Sequence, residues 1–227
     1  RLHRHTKSPT LWQHRLWVMN RVLWVQGLDP TGWLMGKNPG NAVRLNPPSL
    51  ETIRELFVAE LDVILRAGEI HPKNYYAFSY ARELHVLLAG IVHGEVGSKD
   101  GLECLAMSVV TPVLDWCLAH PRDISGWMFV LYLLEAIRDQ RVRVDTVNRT
   151  VQFALDVGWD GESLWTFVDM AARSFGFVDS IQDMIPCQSD AALGSAGSRA
   201  SLEGSLREKS WKIWVARVRA YWAAGDR

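Results

Sequence analysis

The chain has 227 residues, 48% hydrophobic and 22% charged, with 25 basic against 25 acidic side chains and a formal net charge of +0. This is an ordinary globular mix, long enough to bury a core, and it excludes a wholly disordered chain. The charge balance excludes the basic excess by which proteins grip nucleic acid, or an anionic membrane, without specificity.

The opening Arg1-Leu2-His3-Arg4-His5 has no apolar core of the kind a signal peptide needs. His3 and His5 lack Cys or His partners at ligand spacing, so no metal site is expected there. Gln26 to Pro48 is dense in glycine and proline and reads as a long irregular connection. Ser49 then precedes a helical stripe of Ile53, Leu56, Phe57, Leu61, Ile64 and Leu65, with Ser49 as N-cap, Glu51 in the first turn and Ala67-Gly68 at its end. A second stripe covers Asn74 to Val92. Asp100 opens a third helix, which Pro112 breaks or kinks before it continues to Leu118. Further helices are expected at Ser125–Ile137, Val147–Val157 and Leu164–Phe175. The Ser/Ala/Gly-rich stretch 188–205 reads as a flexible linker, and a last helix spans Leu206–Ala224. That helix combines tryptophans with scattered arginines and lysines, a pattern shared by membrane-surface helices and by terminal helices that close a stack, the simpler reading. No alternating segment supports a sheet. The expected organisation is a helical-hairpin domain over 1–187 with an insertion at about 26–48, a linker at 188–205, and a terminal helix at 206–227.

The apolar runs Val86–Val92 and Met128–Leu134 fall short of the ~20 residues of a membrane span, so no integral membrane segment is expected. The cysteines Cys104, Cys117 and Cys187 are odd in number and include no C-x-x-C. A disulfide framework and a Cys-rich zinc site are therefore not expected, and a reducing, cytoplasmic setting fits. No P-loop, H-E-x-x-H or G-x-S-x-G motif occurs.

One motif repeats. His71-Pro72-Lys73-Asn74-Tyr75-Tyr76-Ala77-Phe78 aligns with His120-Pro121-Arg122-Asp123-Ile124-Ser125-Gly126-Trp127. The residue before proline leaves the α region and ends one helix, and Asn or Asp caps the next. The aromatic falls one turn inside the new helix. Weaker copies stand at Ser8-Pro9-Thr10-Leu11-Trp12-Gln13-His14-Arg15 and Gly161-Glu162-Ser163-Leu164-Trp165. Hairpins of this kind stack because one alone cannot bury its apolar face. The expected fold is all-α, an α-α superhelix of stacked helical hairpins, similar to a TPR-like solenoid.

Asn74-Tyr75-Tyr76-Ala77-Phe78, Ser8 to Arg15 and Asp123 to Trp127 resemble the N-Y-x-x-W-x-x-R repeat of protein prenyltransferase α subunits, and Pro72-Lys73-Asn74-Tyr75 is the sharpest piece. The resemblance covers roughly residues 6 to 175. The repeat arginine is kept only at Arg15; Ala81 (with Arg82 displaced by one), Val130 and Val168 stand at the other copies, so the chain resembles a divergent member, nearest the α-like subunit of the type III geranylgeranyltransferase. The resemblance implies the α-type subunit of a heterodimeric protein prenyltransferase, inactive alone, scaffolding a β subunit that carries zinc and the isoprenoid diphosphate and acts on a protein substrate. It places Lys73 and Tyr75 near the diphosphate, with Arg122 as the corresponding cation of the next copy; an ammonium and a phenolic O–H can stabilise charge on a departing diphosphate. The alternative is a non-catalytic helical-repeat adaptor for a protein partner.

Overall fold

Several helices begin where the sequence supplies a capping side chain. Ser49 is extended (φ −61°, ψ 150°), and its Oγ accepts the Thr52 N–H at 3.1 Å. Asn74 Oδ1 accepts from the Ala77 N–H, and Asp123 Oδ1 from the N–H groups of Ser125 and Gly126, so both motif caps form as expected. The computed structural model describes residues 6–25, 49–93, 99–185 and 210–225. The expected insertion at 26–48 and linker at 188–205 lie outside these residues, as does the start of the last helix.

Among the described residues the protein is an all-α helical repeat fold without strands. In chain order the helices are α1 (Pro9–Val25), α2 (Leu50–Ile70), α3 (Tyr75–His93), α4 (Lys99–Ala119), α5 (Ile124–Ala136), α6 (Gln140–Val157), α7 (Glu162–Phe175), α8 (Val178–Met184) and α9 (Trp211–Gly225). Turns of a few residues join α2 to α3, α4 to α5 and α6 to α7. The contacts divide the chain into two units. One comprises residues up to Trp116 with Tyr132–Arg138, the other Cys117–Leu131 with the residues from Asp139 onward.

In the first unit α2 and α1 both pack on α3, around Phe57, Ile64, Phe78, Leu84 and Leu88. In the second, α6, α8 and α9 pack on α7. Its core holds Trp127, Phe129, Trp165 and Phe167, with Trp127 and Phe167 stacked at 5.0 Å. α9 buries Trp214, Val215 and Val218. Its Trp214 Nε1 donates to the buried carboxylate of Asp169 at 2.9 Å, and Ser210 Oγ donates to the same group. Arg217 reaches carbonyls of Gln182 and Ile185, and Arg219 pairs with Asp160. The terminal helix thus docks on its own chain.

Four expectations change. α2 continues past Ala67-Gly68 to Ile70. Gly68 is there for contact, not termination: a Cβ would lie 2.8 Å from the Trp116 ring. Pro72 ends the helix instead, with His71 extended (φ −136°, ψ 91°). α4 runs unbroken through Pro112, which sits on its exposed side. α6 starts at Gln140, seven residues before the first apolar position used to place it, because Asp139 caps it by accepting from Arg141 N–H at 2.8 Å. α8 was not expected. Gly158, in the left-handed region at φ 66°, closes α6.

Among the described helices, α4 is long and apolar enough to cross a membrane by length and composition. Leu105, Ala106, Val109, Val113 and Leu114 on it are buried in protein, as in a core helix. Cys104 is half-buried and Cys117 buried, and both are free thiols.

Candidate functional site

The turn from His71 to Asn74 is held from two sides. Asn74 uses its Oδ1 to cap α3 and its Nδ2 to donate to the Thr6 carbonyl at 2.8 Å. Trp12 Nε1 donates to that same carbonyl at 2.5 Å. One oxygen just before α1 therefore fixes both the first helix and the start of the third. Between the helix stop and the cap sits Lys73, with φ 59°, the one non-glycine residue at positive φ among the described residues. A lysine in this region costs about 1–2 kcal/mol relative to its ordinary conformations. Its carbonyl accepts the Tyr75 N–H at 3.0 Å, and its side chain is exposed.

Tyr75 and Tyr76 follow, 63% and 42% exposed, with rings edge-on at 5.7 Å and 77°. They open onto a cleft of about 170 Å³ between α1 and α3. Gln13 and Leu16 face them from α1, Glu83 closes the far end, and Trp12 and Tyr80 form the floor. No lysine or arginine is among the residues that line it.

Beneath the floor lies an ion pair. Arg15 donates through Nε and Nη2 to the two oxygens of Glu60, each at 2.7 Å, and Tyr80 O–H donates to Glu60 Oε2 at 2.7 Å. Glu60 is only 8% exposed, so these donors replace the water it has lost. The bond to Glu60 raises Arg15 from its ordinary value. Burial first, and then Glu60, push the Tyr80 phenol well up. Both groups keep their protons at any ordinary pH, and the network is a fixed brace between α1, α2 and α3.

Deeper in the same unit, His85 is fully buried and stacked on Phe57 at 5.4 Å. Its Nε2 lies 2.9 Å from the Leu102 carbonyl and its Nδ1 2.9 Å from the Tyr132 hydroxyl. A carbonyl can only accept, so Nε2 carries the proton and Nδ1 accepts from Tyr132. Burial lowers His85 to about 4 and raises Tyr132 to about 12.

Lys73 and Tyr75 thus share one turn. Arg122 belongs to the other unit, where its guanidinium lies over the Trp159 ring at 5.5 Å and its carbonyl accepts from Ser163 Oγ at 3.0 Å. The two sequence copies also differ in backbone. Lys73 is left-handed while Arg122 is not, and Asp123 N–H bonds to the His120 carbonyl three residues back at 2.9 Å. Ala81, Val130 and Val168, at the positions of the lost repeat arginines, are completely buried. Arg82 does not replace the missing arginine, since its guanidinium lies 5.6 Å over the Tyr132 ring. Among the described residues no three His, Cys, Asp or Glu side chains gather as a metal-binding group.

Sequence reasoning missed Glu60, Tyr80, Gln13 and Glu83. Glu60 had a signal: it stands three residues after Phe57 and four before Ile64, inside a buried stripe, where an acid needs a partner.

Residues 57–87 match the model of one protein family, described as Protein prenyltransferase alpha subunit repeat. No curated protein and no solved structure matches the chain. The matched segment holds Glu60, the Lys73 turn, Tyr75, Tyr80 and His85. Residues 57–87, within an all-α arrangement of the described residues, are therefore similar to a protein prenyltransferase alpha subunit repeat.

Proposed function

We propose that this chain is the α-type subunit of a heterodimeric protein prenyltransferase, transferring a geranylgeranyl or farnesyl group to a cysteine of a protein substrate. The repeat match over residues 57–87, which brackets the Lys73–Tyr75 turn, carries the reading. In it the chain is inactive alone and scaffolds a β subunit that holds zinc and the isoprenoid diphosphate. As the cysteine sulfur bonds to the isoprenoid carbon, the carbon–oxygen bond to diphosphate breaks and negative charge collects on the leaving group. The exposed Lys73 ammonium and the Tyr75 phenol are chemically suited to meet that charge. Arg122 is the corresponding cation of the next copy. A reducing, cytoplasmic setting belongs to the same reading, since the three cysteines are odd in number and form no C-x-x-C.

The test is co-expression with candidate β subunits. Copurification with prenyl transfer to a cysteine-bearing protein is expected; a chain that recovers no β subunit and no transfer sinks the reading. Within an active pair, Lys73→Ala slows turnover without dissociating the subunits, and unchanged turnover removes Lys73 from the chemistry.

A second reading, a non-catalytic helical-repeat adaptor, is favoured by the sealed apolar positions Ala81, Val130 and Val168 in place of repeat arginines. It is supported if the chain recovers only partners unrelated to a β subunit.

A further inference from the structure

The cleft between α1 and α3 has the wrong polarity for a phosphate group and the wrong size for a cofactor. Its one charged lining residue is Glu83, and its volume is about 170 Å³. Pockets for small-molecule ligands run to roughly 300–1,000 Å³, and a docked helix is about 10 Å across. A narrow slot walled by aromatic rings suits an extended chain.

We propose that this cleft is a peptide-docking slot for a proline-bearing, cationic segment of a partner protein. Polyproline strands dock on aromatic-lined grooves because their rings pack flat and their backbone is already ordered. Proline has no N–H, so burying it desolvates only carbonyls, which need donors. Tyr75, Tyr76, Ser79 and Gln13, among the residues that line the cleft, carry such donors. The rings of Tyr75 and Tyr76, edge-on at 5.7 Å, form the proline seat. Glu83 lies seven residues beyond Tyr76 on α3, about 10 Å along the helix axis. One polyproline turn of three residues spans about 9 Å. A lysine or arginine three residues from the seated proline therefore reaches Glu83, giving a Pro-x-x-Lys/Arg spacing. The slot shares Tyr75 with the prenyl-transfer reading, but its charged lining residue, Glu83, takes a cation where that reading takes an anion, so peptide binding to the chain alone and copurification of a β subunit fail separately.

Fluorescence anisotropy with the full chain and labelled Pro-Pro-Pro-Pro-Arg tests it. Saturable binding is expected, weakened at least about threefold when the terminal arginine is glutamate, as one exposed ion pair replaced by a repulsion requires. An Ala-Ala-Ala-Ala-Arg peptide binds more weakly, and inorganic diphosphate does not displace the probe. Glu83→Lys reverses the preference between the arginine and glutamate peptides, and Tyr76→Ala weakens binding about tenfold. Absence of saturable binding, indifference to the peptide's charge, or displacement by diphosphate each overturns the proposal. These three readouts use the unaltered protein, so they hold even if a variant misfolds, and none bears on whether a β subunit copurifies.

Discussion

The ring N–H of Trp127 donates to the carbonyl of Pro121, six residues earlier, at 3.1 Å. Trp165 does the same to Trp159 at 2.8 Å and Trp12 to Thr6 at 2.5 Å. Each indole therefore bonds to the residue two before its helix cap, and fixes the angle at which the incoming chain meets the helix. Phe78, in the fourth copy, has no N–H to give; there the Asn74 side chain reaches the Thr6 carbonyl instead. Trp127→Phe is expected to cost about 1–3 kcal/mol and Trp127→Ala about 3–5 kcal/mol. Urea midpoints measure both; a Trp127→Phe variant as stable as the parent would show that the ring alone matters.

The Arg15–Glu60–Tyr80 brace gives a second expectation. Glu60→Ala leaves a guanidinium and a phenol facing a gap, at a cost of about 2–4 kcal/mol. Arg15→Ala and Glu60→Ala together cost less than the sum of the two single changes, by more than about 0.5 kcal/mol. Additive losses in the double-mutant cycle would mean that the pair is not coupled.

His85 makes stability depend on pH. Its folded value is near 4, against about 6.5 unfolded. Below about pH 6.5 the unfolded chain takes up a proton that the folded chain refuses, so the contribution is complete above that pH and is lost as pH falls toward 4. The total is about 3 kcal/mol. His85→Gln keeps hydrogen-bonding groups but does not titrate, and it flattens the stability profile between pH 6.5 and 4 in urea titrations. An unchanged slope assigns the acid sensitivity elsewhere.

Lys73 holds a backbone conformation that glycine adopts without strain. Lys73→Gly is expected to raise stability by about 0.5–1 kcal/mol, while Lys73→Ala does not, since alanine bears the same strain. Under the proposed function both lose turnover, separating the side chain's chemistry from the backbone's cost. A lower melting temperature for the glycine variant would remove strain from the account.

Most helices were legible because their buried stripes repeat every three or four residues, as along Ile53, Phe57, Leu61 and Ile64. The capped turns were legible because Asn74 and Asp123 act on their own next turn. The first two turns of α6 escaped because Gln140 to Asp145 are largely polar and only Asp139 marks the start. Gly68 was misjudged because the residue it accommodates, Trp116, is far along the chain. The same distance hid the site. Glu60 meets Arg15 across 45 residues, and Glu83 shares a cleft with Gln13 only because α1 lies on α3. Local spacing encodes caps and stripes; it does not encode which helix a face will meet.

The bond between Trp214 and Asp169 has a consequence for synthesis. α7 is translated about 50 residues before the helix that covers it is complete, and ribosomes add about 5–20 residues per second. For several seconds each nascent chain presents a carboxylate without its indole and hydroxyl donors, beside bare apolar side chains. That interval is the window in which a chaperone has something to hold.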